Sequence, residues 1–249
     1  MQRMVVYIED RVEQFLLPDQ EEEIFPGVPW GHMDAFFTPA FWAARAWIHE
    51  VHGEDWTFTH YKTGTTFKEE VAACLLGGHG ITAEMALAAF KHLQGKRLLD
   101  GTPSVEEVAE ALREPLQDEG RTIHYRFPNR RARFIAEALV RLDRADTVPS
   151  GGRALRDWLM EFPGIGPKTA SWIVRNWFDA DDVAIIDIHV QRACTLAKVF
   201  PKELTPARHY FRLEQRFLEF ASAIHTKAST LDNLVWNYMR SIGHLAVAS

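Results

Sequence analysis

The chain has 249 residues, 47% of them hydrophobic, with 16 Phe and 8 Trp, enough to fill a substantial core in one large domain or two smaller ones. No apolar run approaches the length of a membrane span, and the amino terminus, MQRMVVYIEDRVEQF, lacks the long apolar core of a secretory signal, so a cytoplasmic protein with no membrane partner is expected. The net charge of −6 weighs against a polyanionic partner, but the charge is unevenly placed. Residues 1–25 carry Glu9, Asp10, Glu13, Asp19, Glu21, Glu22 and Glu23 against Arg3 and Arg11. Residues 121–144 carry Arg121, Arg126, Arg130, Arg131, Arg133, Arg141 and Arg144 against Glu137 and Asp143.

Residues 1–66 are expected to begin with an amphipathic helix. A passage bearing Pro26, Pro29 and Trp30 follows, then an aromatic-rich core helix that starts at Thr38-Pro39 and stops at Gly53. From Thr66 the reading is steadily helical. Thr66 and Glu69 form a capping box opening FKEEVAACLL, which stops at Gly77-Gly78. Thr82 opens the next helix, and Ser104 with Glu107 forms a second box. Asn129 is placed to cap a helix whose apolar face is Phe134, Ile135, Ala138, Leu139 and Leu142. Short, closely spaced helices without alternating strands predict an all-α fold built on a compact bundle.

The stretch Trp158 to His189, WLMEFPGIGPKTASWIVRNWFDADDVAIIDIH, carries the chemistry. A helix ends near Met160, because Pro163 cannot continue its ladder. Gly164 and Gly166 permit positive φ and leave the backbone bare, and Pro167 suits a first helical position. A new helix therefore presents unpaired N–H groups outward, the arrangement that holds phosphate without reading sequence. Lys168 follows at once, and Asp187 ends an apolar run nineteen residues later (187 − 168). An amine and a carboxylate over such a hairpin suit nucleophilic substitution at a sugar carbon, the amine attacking while the carboxylate stabilises positive charge. Plainer alternatives stand beside this: Lys168 as a solvated charge, and Asp187 as the cap of a helix beginning at Ile188.

These motifs, GIGPKTAS followed by AIIDIH, resemble the helix-hairpin-helix DNA glycosylase superfamily, most closely its 8-oxoguanine DNA glycosylase/lyases of the short archaeal-type branch. Detailed resemblance covers roughly 160–190, with weaker echoes near 67–93, 126–135 and 230–238. It implies a two-layer helical fold with an active-site cleft and a bifunctional DNA glycosylase/AP lyase of base excision repair. Such an enzyme flips 8-oxoguanine out of duplex DNA, attacks C1′ with Lys168, assisted by Asp187, and cleaves by β-elimination. The resemblance assigns Gly164, Gly166, His189, His79, Asn129, Arg130, Arg131 and Arg133 to DNA, His79 as a wedge entering the duplex. It assigns Trp172, Asp232 and Trp236 to the base pocket. By position the backbone carbonyls of Met160, Phe162 and Ile165 would hold an alkali cation, Na+ or K+, beside a phosphate. No other cofactor is expected: Cys74 and Cys194 cannot build the four-cysteine iron-sulfur cluster of some superfamily branches. The protein is read as a monomer acting on damaged double-stranded DNA, in the cytoplasm at the nucleoid.

The expected division is an N-terminal elaboration over 1–66 that packs with the C-terminal part, and a central bundle over 67–178 with the helix-hairpin-helix at 155–177. The catalytic Asp loop and C-terminal helices occupy 179–249. The tail LAVAS departs from the lysine-ended terminus of this branch. Two alternatives therefore stay open: the same chemistry on an oxidised pyrimidine or on a modified base of foreign DNA, or a non-catalytic DNA-binding protein that retained the hairpin.

Overall fold

The computed structural model describes residues 1–52, 62–78 and 80–242. The chain forms two compact units, Met1–Thr59 joined with Asp181–Ser249, and His60–Ala180. It thus leaves the first unit, builds the second and returns. Ten α-helices among the described residues carry the fold, accompanied by three two-stranded antiparallel sheets. None of these helices is long and apolar enough to cross a membrane.

In the first unit, β1 (Gln2–Ile8) pairs with β2 (Arg11–Leu17), Tyr7 opposite Val12 and Gln2 opposite Leu17. The amphipathic helix expected at the amino terminus is therefore replaced by a β-hairpin. Residues Met4, Val6 and Ile8 are half-buried while Val5 and Tyr7 are exposed, the alternation of a strand with one covered face. That face meets α1 (Pro39–His52), where Phe15 stacks on Trp47 with ring centroids 5.1 Å apart. A second small hairpin joins β3 (Glu23–Phe25) to β4 (Val28–Pro29). Thr38 Oγ1 accepts the Phe41 N–H and opens α1 as expected.

The second unit is the bundle of α2 (Phe67–Leu76), α3 (Ala83–Gly95), α4 (Val105–Arg113), α5 (Pro128–Arg144), α6 (Gly152–Leu159) and α7 (Pro167–Phe178). A short hairpin, β5 (Leu116–Asp118) with β6 (Arg121–Ile123), connects α4 to α5. Both capping boxes form: Thr66 and Glu69 exchange bonds at the start of α2, Ser104 and Glu107 at the start of α4, and Thr82 caps α3. Helix α2 packs against α3, α5 and α7. The fully buried Val71, Leu75, Leu93, Leu112, Ile135, Leu139, Leu155, Leu159 and Ile173 form this core. Each such side chain contributes roughly 2 kcal/mol by leaving water.

The chain re-enters the first unit through an apolar run and α8 (Ile188–Leu196), α9 (Pro206–Ala223) and α10 (Ala228–Ser241). Their core centres on Phe41, Trp42, Phe200, Phe217, Phe220, Leu231 and Val235. Helix α9 has non-helical φ/ψ at His209, and its buried stripe runs Tyr210, Leu213, Phe217 and Phe220, while Phe211 is 46% exposed.

Candidate active site

Helix α6 ends with Met160 N–H on the Arg156 carbonyl, and the chain then turns tightly, Phe162 N–H to Leu159 O at 3.0 Å and Ile165 N–H to Phe162 O at 3.1 Å. Gly164 takes φ +83°, the left-handed conformation the turn needs. Gly166 differs from expectation: at φ −94° and ψ 177° it is ordinary extended backbone, serving as the N-cap of α7. Buried Phe162 and Ile165 root the hairpin, Trp158 packs edge-on against Phe162 at 4.7 Å, and Arg141 donates to the Glu161 carbonyl at 2.9 Å. No side chain caps α7, so its first amide donors face outward beside exposed Lys168, the second residue of the helix.

One turn on, half-buried Trp172 lies against the end of α2. A Cβ at Gly77 would stand 3.1 Å from its ring, so a side chain there would need the ring to give by a few tenths of an ångström. The adjoining Gly78 and Gly80 have φ of +114° and +77°, with the Arg131 and Arg126 guanidinium groups each 3.0 Å from where a Cβ would be. Arg126 also donates to the Gly80 carbonyl at 3.3 Å, and Tyr125 Oη donates to Leu76 O at 2.6 Å. Burial pushes the Tyr125 phenol up to about 12. His79 lies outside the described residues.

Asn129 does not cap α5. Pro128, whose fixed φ suits a first helical position, starts the helix two residues sooner, and Phe127 becomes the N-cap. The Asn129 side chain instead accepts from Arg113 Nε at 3.1 Å and Nη2 at 2.7 Å. Of the neighbouring arginines, Arg133 is paired with Glu137 at 2.9 Å, and Arg130 lies over the Phe134 ring.

Asp187 belongs to the other unit. It caps α8 through one oxygen, Oδ1 accepting the His189 N–H at 2.8 Å and the Val190 N–H at 2.9 Å. Among the described residues Oδ2 receives no bond. The His189 ring meets the Trp236 ring edge-on, centroids 6.3 Å apart, and the Arg240 guanidinium lies 5.0 Å over Trp236. Asp232, one turn before Trp236 on α10, is 5% exposed; its charge adds to burial in raising the Cys194 thiol. Arg240 is the aromatic cluster's unforeseen member; the signal for it was its place four residues after Trp236 on one helix face.

The structure thus assembles the hairpin, Lys168, Trp172 and the arginines on one unit, and Asp187, His189, Asp232 and Trp236 on the other. Among the described residues no group of three or more His, Cys, Asp or Glu side chains could hold a metal ion.

A family model described as 8-oxoguanine DNA glycosylase matches residues 52–226. An 8-oxoguanine DNA glycosylase/AP lyase of Metallosphaera sedula is 32% identical over 189 residues, 71% of this chain and 82% of that one. The crystal structure of the 8-oxoguanine DNA glycosylase of Thermotoga maritima superposes with a TM-score of 0.55 at 27% identity, over 70% of this chain and 79% of that one. The fold is also that of the Methanocaldococcus jannaschii 8-oxoguanine glycosylase/lyase in complex with 15mer DNA containing 8-oxoguanine. There the TM-score is 0.56 at 23% identity, over 81% of this chain and 96% of that one. With the hairpin, the lysine at the start of α7 and the capping Asp187 all within the matched residues, the chain belongs to the 8-oxoguanine DNA glycosylase family.

Proposed function

We propose that this protein is a bifunctional DNA glycosylase/AP lyase that removes 8-oxoguanine from duplex DNA in base excision repair. The observation that carries the reading is Lys168 at the uncapped start of α7 behind a glycine hairpin, in a family that excises this base. The outward amides of α7 take a backbone phosphate, which positions the duplex without reading it. Extruding the base costs a few kcal/mol, less where a lesion has weakened the pair.

The neutral Lys168 amine donates its lone pair to C1′. The C1′–N9 bond breaks with its pair going to the base, which takes up a proton. The aminated sugar loses an amine proton and opens to an iminium; removal of a C2′ proton then expels the 3′ phosphate. Asp187 Oδ2, unengaged by the cap, supplies the negative charge that stabilises C1′ as positive charge develops. On this reading Trp172 and Trp236 are the stacking surfaces for the extruded base, and Asp232 accepts a hydrogen bond from the N7–H that distinguishes 8-oxoguanine from guanine. His189 and the arginines at the start of α5 support the DNA backbone.

The hairpin also fits an alkali cation. The Met160, Phe162 and Ile165 carbonyls lie between α6 and α7, and among the described residues Phe162 O accepts one bond, from the Ile165 N–H. Such hard oxygen donors would hold Na+ or K+, which would supply charge toward a phosphate. The protein works as a monomer on nucleoid DNA.

Borohydride trapping on a single-lesion duplex tests the assignment. A covalent adduct with the wild type and none with Lys168→Gln is expected; equal trapping of both proteins would remove Lys168 from the mechanism. A panel of duplexes bearing other oxidised or modified bases, excised faster than 8-oxoguanine, would move the substrate instead.

A further inference from the structure

The run Val183–Ile186 that leads into Asp187 forms no strand among the described residues, yet it is deeply covered: Ala184 and Ile186 are each 1% exposed. Backbone polar groups removed from water need partners, and a sheet would ordinarily provide them. Here α9 provides them through two side chains one helical turn apart. Tyr210 Oη donates to the Ala184 carbonyl at 2.8 Å and accepts the Ile186 N–H at 3.2 Å. Glu214 Oε1 accepts the Ala184 N–H at 3.2 Å. The two side chains are 7% and 3% exposed, so these bonds form away from competing water.

Further fastenings bracket the run. At its start Asp181 Oδ1 accepts the Ser229 N–H at the beginning of α10. At its end the Asp187 N–H turns back to the Ile185 carbonyl at 2.9 Å, while the carboxylate caps α8. Capping fixes Oδ1, but where the Asp187 backbone stands depends on the residues just before it.

We infer that Tyr210 and Glu214 are positioning residues for the Asp187 carboxylate, acting through the backbone of Ala184 and Ile186. The inference rests on the reading of Asp187 as the group that stabilises charge at C1′. Displacing such a group by about 1 Å costs on the order of a hundredfold in rate, whereas DNA binding by the hairpin and arginines draws on other residues.

The test compares single-turnover excision of 8-oxoguanine with equilibrium affinity for a duplex carrying a tetrahydrofuran abasic analogue, below each variant's melting temperature. Tyr210→Phe keeps the ring in the core and removes both hydroxyl bonds. Its excision rate should fall about ten- to hundredfold, with affinity within about twofold of wild type. Glu214→Gln, which retains an oxygen acceptor, should lose less than Glu214→Met. In an Asp187→Asn background, Tyr210→Phe should cost little more, because its effect passes through the missing carboxylate.

A wild-type rate for Tyr210→Phe, a parallel fall in affinity, or the same loss with and without Asp187 would overturn the inference. So would a loss for Glu214→Gln as large as for Glu214→Met. If Tyr210→Phe does not fold, the Glu214 pair in both backgrounds decides. Asp187→Asn excising like wild type would instead sink the catalytic reading, and the inference with it.

Discussion

The two hairpin glycines are needed for different reasons, and substituting each separates folding from DNA contact. Gly164 has φ +83°, where an L-residue costs about 1–2 kcal/mol. A Cβ there would also lie 2.3 Å from the Phe134 ring, a contact that must push the ring off the hairpin at a cost of about 1–3 kcal/mol. Gly164→Ala should therefore destabilise the protein by roughly 2–5 kcal/mol, the sum of these two effects. Gly166 is extended, and a Cβ built on it meets nothing within 4 Å. Alanine or valine there loses a fraction of about 1 kcal/mol in capping preference. Reduced freedom of the unfolded chain offsets this by about 0.4–1 kcal/mol, leaving stability nearly unchanged. What Gly166→Val does bring is bulk on the outward face of the hairpin. If a phosphate seats there, affinity should fall about tenfold or more, the scale of one lost bond to a charged group. Urea denaturation measures the first quantity, and fluorescence anisotropy with plain and lesion duplexes the second. A Gly164→Ala midpoint equal to wild type would refute the steric argument. A stable Gly166→Val protein that binds plain duplex normally would remove the phosphate from the hairpin.

Burial pushes the thiols of Cys74 and Cys194 above their ordinary value of 9.0, reinforced by Glu70 and Asp232 respectively. A folded-state value raised above the unfolded one stabilises fully below about pH 9 and less as pH rises past it, so chemical denaturation should show an alkaline decline that a Cys74→Ala, Cys194→Ala protein lacks in part. Both thiols should also react with a disulfide reagent only after unfolding; rapid labelling of the native protein would contradict their burial. Asp232→Ala should slow excision of 8-oxoguanine by about one to two orders of magnitude while leaving cleavage of a preformed abasic site near wild type. Wild-type excision by that variant would take Asp232 out of the base pocket.

What could be read from the chain alone was what local chemistry determines. The capping boxes at Thr66 and Ser104 form because partners three residues apart need no tertiary help. Asp187 stands as an N-cap for the same reason, immediately before Ile188. The amino-terminal hairpin carries a helix-like pattern, because Val5, Ile8, Val12 and Phe15 also recur at helical spacing, and the Glu9-Asp10 turn lacks the Asn-Gly signature of tight hairpins. Glu9 nonetheless takes φ +50°, and pairing with β2 decides the outcome. Asn129 lost the cap because Pro128, with a stiffer preference for the first helical position, starts the helix earlier and leaves Phe127 as the N-cap. The hold of Tyr210 and Glu214 on Ala184 and Ile186 spans 24 to 30 residues and has no local signature.

The same structure resolves how a chain of net charge −6 suits a polyanion. Many basic groups of the second unit are already engaged: Lys68 with Asp143, Arg113 with Glu106 and Asn129, Arg133 with Glu137, and Arg141 with the Glu161 carbonyl. Among the described residues, Arg121, Arg126, Arg130, Arg131 and Arg144 have no carboxylate partner. Two of these, Arg126 and Arg131, are oriented by the glycine loop after α2, so ordering them on a phosphate costs less than ordering free side chains. Each phosphate neutralised steepens the salt dependence of affinity by about 0.9 in log–log slope. A footprint limited to these side chains would keep the salt dependence of binding shallow. Selectivity for a damaged base then has to lie in contacts to the base rather than in contacts to the backbone.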